Sequence, residues 1–118
     1  MVSENKYIQQ LKNNLSKIDP YLVLLFGSYA YGTPDLDSDL DVIVVLNDQS
    51  MPVSFKEKQE LYLKVSSLTR PVAKQIPIDL MVFTLPMFEQ FKLANTSFSE
   101  EILTKGIVIY ESKHQTMA

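Results

Sequence analysis

The chain is constrained first by the stretch from Leu24 to Val45. Tyr21 to Phe26 is an unbroken apolar run, and Leu40 to Leu46 is apolar except for Asp41. Consecutive apolar residues over five or six positions suit a strand covered on both faces. Between the two runs, Gly27-Ser28 breaks the pattern and Thr33-Pro34-Asp35 signals a loop closed by Ser38. Two interior strands joined by a sharp turn and a loop must therefore share one small sheet. Packing accounts for most of this stretch, but not for Asp39 and Asp41. Side chains alternate along a strand, so both carboxylates project on the side that Ile43 and Val45 continue inward. Two such charges in a partly dry site repel, and one is driven to protonate unless a cation intervenes.

The remaining pattern supplies helices to cover that sheet. Ile8, Leu11, Leu15 and Ile18 recur at helical spacing and predict an amphipathic helix over residues 4 to 18, ended by Asp19-Pro20. Ser54-Phe55-Lys56-Glu57 is a capping box. It opens a helix with Leu61, Val65 and Leu68 on one face, which Arg70-Pro71 is expected to stop. A third strand is predicted over Ile76 to Phe83, and short helices over Pro86 to Leu93 and Ser99 to Lys105. Gly106 is placed to cap the second of these, and Ile107 to Tyr110 reads as a fourth strand. The expected class is α/β (α+β): a small mixed sheet of about four strands flanked by helices. Residues 1–112 read as one domain and 113–118 as a disordered tail that includes His114.

Composition narrows the function classes. A net charge of −3 does not suggest the basic face of a nucleic-acid binder. The absence of cysteine removes thiol nucleophiles and thiolate metal sites, and fits a cytoplasmic protein. The longest apolar run is too short to cross a bilayer, and the polar start Met1-Val2-Ser3-Glu4-Asn5-Lys6 does not read as a secretory leader.

The acids carry the chemistry. Asp79 interrupts an otherwise apolar strand, Ile78-Asp79-Leu80-Met81-Val82-Phe83. If that strand neighbours the second one, three carboxylates converge, an all-oxygen set that favours Mg²⁺. Gly27 lets a ligand approach the backbone. Ser28 offers a hydroxyl and an N–H, and if it opens a helical turn its free N–H groups suit the tail phosphates of a triphosphate. The alternating acids Asp35, Asp37, Asp39 and Asp41 do not form an EF-hand, which needs Gly at loop position six and Glu at twelve; counted from Asp35, those positions are Leu40 and Leu46. Asp35 and Asp37 read as a solvated loop. Tyr29 and Tyr31 read equally as pocket lining or packing, and Phe88 and Phe91 as core.

Gly27-Ser28-Tyr29-Ala30-Tyr31-Gly32, followed by Ser38-Asp39-Leu40-Asp41-Val42, resembles the signature of the minimal nucleotidyltransferases of the DNA polymerase β-like superfamily. Pro77-Ile78-Asp79-Leu80 and Gly106-Ile107-Val108-Ile109-Tyr110-Glu111 are similar too. The resemblance implies ATP or another NTP as donor and two Mg²⁺ ions. It implies Asp39 and Asp41 as metal ligands, Asp79 as a ligand and base, and Gly27 and Ser28 as the hold on pyrophosphate. Tyr31 departs from the pattern, since many relatives carry Arg there. Candidate replacement cations are Lys58, Lys64, Arg70 and Lys74.

The resemblance further implies that the acceptor comes from another protein, a small helical one of the HEPN class, with this chain as the antitoxin that adenylylates a tyrosine of its partner toxin. Transfer to a small-molecule hydroxyl, such as that of an antibiotic, is the alternative. A third reading is a non-catalytic antitoxin acting by binding. A homo-oligomer stays open.

Overall fold

A computed structural model describes residues 5–32, 34 and 38–112. The predicted tail 113–118, His114, Asp35 and Asp37 lie outside the described residues.

The first helix, α1 (Lys6–Leu15), starts at Asn5, whose side-chain oxygen accepts from the backbone N–H groups of Tyr7 and Ile8 at 2.9 and 3.2 Å. It buries Ile8, Leu11 and Leu15, then tightens into a 3₁₀ turn over Ser16–Ile18. The stop falls at Asp19, as the sequence predicts, but by another route. Asp19 is left-handed, with φ 43°, rather than in the extended conformation usual before proline. Its carboxylate accepts from the Tyr110 and Ser112 hydroxyls, and its carbonyl from Asn47 Nδ2 at 3.0 Å. Those bonds hold it there.

Strand β1 (Leu22–Phe26) follows, then the short helix α2 (Ser28–Tyr31) and strand β2 (Leu40–Val45). Helix α3 (Phe55–Ala73) begins with the Ser54 hydroxyl accepting from Glu57 N–H at 3.1 Å. The Glu57 carboxylate reaches back to the N–H of Val53 rather than of Ser54. Pro71 does not stop α3. It lies inside the last turn, where one missing N–H removes a single bond, while buried Val72 and the Lys74 N–H to Arg70 carbonyl bond continue the turn. Ile76 therefore belongs to the turn after α3, and β3 (Ile78–Phe83) starts two residues later than the apolar pattern suggests.

Two helices and a strand close the chain: α4 (Leu85–Leu93), α5 (Ser97–Lys105) and β4 (Ile107–Glu111). Gly106 sits at the end of α5 in an extended conformation, φ −65° and ψ 151°, not as a left-handed cap. Glycine is needed for space: a Cβ there would stand 2.5 Å from the Ile102 carbonyl oxygen and 3.4 Å from that of Leu25.

The sheet order is β3-β2-β1-β4. β1 runs antiparallel to both β2 and β4, and β2 runs parallel to β3, so the sheet is mixed. Alternation divides it cleanly. Val23, Leu25, Leu40, Val42, Val44 and Leu80 pack under α1 and α3. Leu24, Phe26, Ile43, Val45, Met81 and Phe83 pack with Phe88, Phe91 and Ile102 of α4 and α5 on the other face. Both faces are covered, which is why β1 and β2 read as continuous apolar runs. No helix among the described residues is long and apolar enough to cross a membrane.

Candidate active site

The site lies where β1 ends and where β2 and β3 begin. Asp41 stands opposite Phe26 of β1 on one side and opposite Asp79 of β3 on the other. The Leu40 N–H bonds the Pro77 carbonyl at 2.9 Å, which fixes that register at its first rung. By alternation with Val42 and Leu80, Asp41 and Asp79 belong to the α4/α5 face. Asp39 is exposed just before β2.

Asp41 is half-buried, and its carboxyl is pushed above the usual carboxylate range. Burial is the larger cause, followed by the charge of Asp79 and then that of Asp39. Among the described residues no basic side chain pairs with any of the three. Of the three acids, Asp79 is the register neighbour of Asp41, and the charges of Asp79 and Asp39 both act on Asp41.

Gly27 completes the approach. Its φ of 74° and ψ of −161° lie in a region essentially closed to residues with a Cβ. A Cβ on Gly27 would also overlap Asp41 Oδ2. The conformation and the bare Cα together let the Asp41 carboxylate lie against the backbone of the turn. Ser28 opens α2, and Gly27, at the N-cap, has no side chain to cap it. Ala30 and Tyr31 N–H both donate to the Gly27 carbonyl at 3.0 Å, so the Ser28 and Tyr29 N–H groups have no partner within the turn.

The donor set suits a hard divalent cation by its chemistry, since it is all carboxylate and lacks a counter-charge. Among the described residues no three His, Cys, Asp or Glu side chains enclose a metal by themselves. Magnesium can bind through one or two carboxylates, with substrate phosphates and water completing its shell.

The two tyrosines separate. Tyr29 packs against the α1/α3 core, whereas Tyr31 is 40% exposed and faces α5. Its phenol is pushed above the usual tyrosine range by partial burial, then by the Glu101 carboxylate at its hydroxyl; the Gly27 backbone acts the other way and Asp41 adds to the rise. Phe26 meets Phe98 edge-on at 5.7 Å, and Phe98 meets Phe91 likewise at 5.9 Å. An aromatic wall thus runs from the core to the mouth of the site.

Lys58, Lys64, Arg70 and Lys74 all belong to α3 or its end, on the layer that covers the opposite face of the sheet. Lys64 acts on Asp48, beyond the far end of β2. The cation found on the α5 side is Lys105, whose ammonium stands 6.0 Å from the centre of the Tyr31 ring. Sequence pattern does not single it out. Only the pairing of Ile107 with Leu25 places the end of α5 beside the end of β1.

Comparison with known proteins adds the lineage. The family described as "Polymerase beta, Nucleotidyltransferase" matches residues 5–115. The protein adenylyltransferase MntA of Shewanella oneidensis is 30% identical over 105 residues, covering 89% of this chain and 63% of that protein. The chain thus spans under two thirds of that relative's length. A protein of Methanocaldococcus jannaschii, provisionally named a protein adenylyltransferase, is 31% identical over 107 residues, covering 86% of this chain and 94% of its own length. Among solved structures, a chain of a toxin–antitoxin with AMP-PNP superposes with a TM-score of 0.51 at 23% identity, covering 86% of this chain and 74% of that one. That likeness is one of fold.

Proposed function

The chain belongs to the polymerase beta nucleotidyltransferase family, and from that premise we propose that it transfers a nucleoside monophosphate, AMP from ATP, onto a hydroxyl of a partner protein. The observation that carries the reading is the Asp41–Asp79 register pair, with the Asp41 carboxylate seated against Gly27. Asp39, Asp41 and Asp79 would hold Mg²⁺, two ions on the family resemblance, which would neutralise the triphosphate and polarise its α-phosphorus. Asp79, exposed at the start of β3, accepts the proton of the attacking hydroxyl. Gly27 lets the Asp41 carboxylate lie against the turn that meets the phosphates. The Ser28 hydroxyl and the free N–H groups of the turn orient the β- and γ-phosphates. The acceptor oxygen bonds to the α-phosphorus as the bond to the bridging oxygen breaks, and pyrophosphate leaves from the Gly27-Ser28 side.

The names of the two relatives support a protein as the acceptor. On the sequence resemblance, we take that protein to be a HEPN-type toxin, modified on a tyrosine in the cytoplasm, with this chain as its antitoxin. Incubating the chain with labelled ATP, Mg²⁺ and the product of the neighbouring gene is expected to transfer label to a tyrosine of that partner. Asp39→Ala abolishes the transfer. Equal labelling by wild type and Asp39→Ala, or no label on the partner, overturns the proposal.

A further inference from the structure

The turn from Gly27 to Gly32 has no positive charge of its own, yet a triphosphate tail brings several negative ones. The fold supplies a cation from elsewhere. Ile107 pairs with Leu25, two residues before Gly27, and the close packing of Gly106 on the Ile102 and Leu25 carbonyls holds the last turn of α5 against the end of β1. Lys105, the last residue of α5, therefore rises at the same end of the sheet as Gly27 and Ser28. Its ammonium stands 6.0 Å from the centre of the Tyr31 ring. Tyr31 is three residues after Ser28 on α2, hence on the same helix face. Tyr31 ends the short helix that follows Gly27 and its ring meets Lys105 of α5, so it lies between the turn and α5.

Lys105 makes no ion pair among the described residues, although Glu101 lies one turn before it. Beside it an open hollow of about 520 Å³ runs along α5, lined by Ser97, Phe98, Glu100, Glu101, Thr104 and Lys105. Two glutamates in that lining would repel a polyanion, and Lys105 is the lining residue that can offset them.

We propose that Lys105 binds the tail phosphates of the nucleoside triphosphate, with the Tyr31 ring as the platform that holds its ammonium over the Gly27-Ser28 turn. The inference rests on the nucleotide reading above and assigns the phosphate cation to the α5 layer instead of α3. A lysine suits the task as a flexible point charge that can leave the ring for a phosphate.

Calorimetric titration of the full chain with AMP-PNP in Mg²⁺ tests it. Lys105→Ala weakens AMP-PNP binding about tenfold, which corresponds to about 1.4 kcal/mol, and changes AMP binding less than twofold. Lys105→Arg stays within about threefold of wild type, and Lys64→Ala, on the other layer, binds as wild type does. Lys105 is exposed, so the melting temperature of its variants stays unchanged. If Lys105→Ala binds AMP-PNP as tightly as wild type, or loses AMP as strongly as AMP-PNP, the assignment falls while the nucleotide reading stands. If wild type binds no AMP-PNP in Mg²⁺, both fall together.

Discussion

At the scale of single residues, the site is a place where local comfort is given up. Gly27 and Gly32 both have positive φ, 74° and 80°, but only one is crowded. A Cβ on Gly32 meets nothing within 4 Å, whereas one on Gly27 overlaps Asp41 Oδ2. Gly32→Ala is expected to cost about 1 kcal/mol, the ordinary penalty of a left-handed residue. Gly27→Ala costs more, about 2–3 kcal/mol, because ψ −161° adds strain and the carboxylate must move. Urea unfolding of the two variants measures the difference, and equal costs would contradict the close seat of Asp41. Asp41→Asn is expected to act in the opposite sense. The folded state raises the Asp41 pKa, so it binds the proton more tightly than the unfolded chain does. The contribution of Asp41 to stability is then present below the usual carboxylate pKa and lost as pH rises through the folded value. At neutral pH the charge is a net cost, and Asp41→Asn melts a few degrees higher than wild type. That advantage shrinks as pH falls toward about 4. Melting curves from pH 4 to 7.5 check the sign.

At the scale of elements, the sequence was most legible where periodicity reports burial. The strands around Val23–Phe26 and Leu40–Val45 and the helix with Ile8, Leu11 and Leu15 follow from spacing alone. The acids at positions 39, 41 and 79 stood out because they break an apolar pattern. What pattern could not supply was anything decided by a distant neighbour. Pro71 is tolerated because Val72 is buried, and Gly106 is glycine because of two carbonyls, one of them in β1. Lys105 looks like any exposed helix lysine until β4 is paired with β1. The left-handed Asp19 is another such case. Its carboxylate gathers the Tyr110 and Ser112 hydroxyls, and Asn47 bonds both Ser112 Oγ and the Asp19 carbonyl. The end of α1, the end of β2 and the end of β4 are thereby tied at the pole opposite the acids. Asp19 raises the Tyr110 pKa by accepting its hydrogen bond, and partial burial adds to the rise. For a raised pKa the stabilisation is complete below the unfolded tyrosine value near 10 and is lost as pH climbs through the folded one. Tyr110→Phe is expected to cost about 1 kcal/mol at pH 7. Its deficit against wild type shrinks as pH climbs past the unfolded tyrosine value near 10 and through the higher folded one, where the phenolate would face Asp19. Denaturant midpoints at pH 7, 9 and 11 test this, and a deficit that grows with pH would refute it.

At the scale of the molecule, the two poles of the sheet have different tasks. The Asp19 pole is closed by hydrogen bonds, and the Asp41 pole is left open and mutually repelling. On the proposed reading, a ligand that supplies positive charge and phosphate oxygens together would join Gly27 after β1, Asp41 in β2, Asp79 in β3 and, through Lys105, the end of α5. It would therefore crosslink three strands and one helix at that end of the sheet. Binding to the folded state alone stabilises by mass action, about 2.7 kcal/mol at a hundred times Kd. For a domain of this size that amounts to a rise of roughly 10 °C in melting temperature. The expected result is that Mg²⁺ with AMP-PNP raises the melting temperature by this order, while AMP-PNP in EDTA gives little, since the carboxylates then repel the phosphates. Hydrogen exchange should localise the effect: slowed exchange at residues 27–31, 40–42 and 78–80 and the last turn of α5, and none at the Asn47–Ser112 pole. Slowing confined to α1 and α3 would place the ligand on the wrong face of the sheet for these acids. The arrangement would then need another explanation, because a repelling carboxylate pair held in register at the start of two parallel strands contributes nothing to the fold itself.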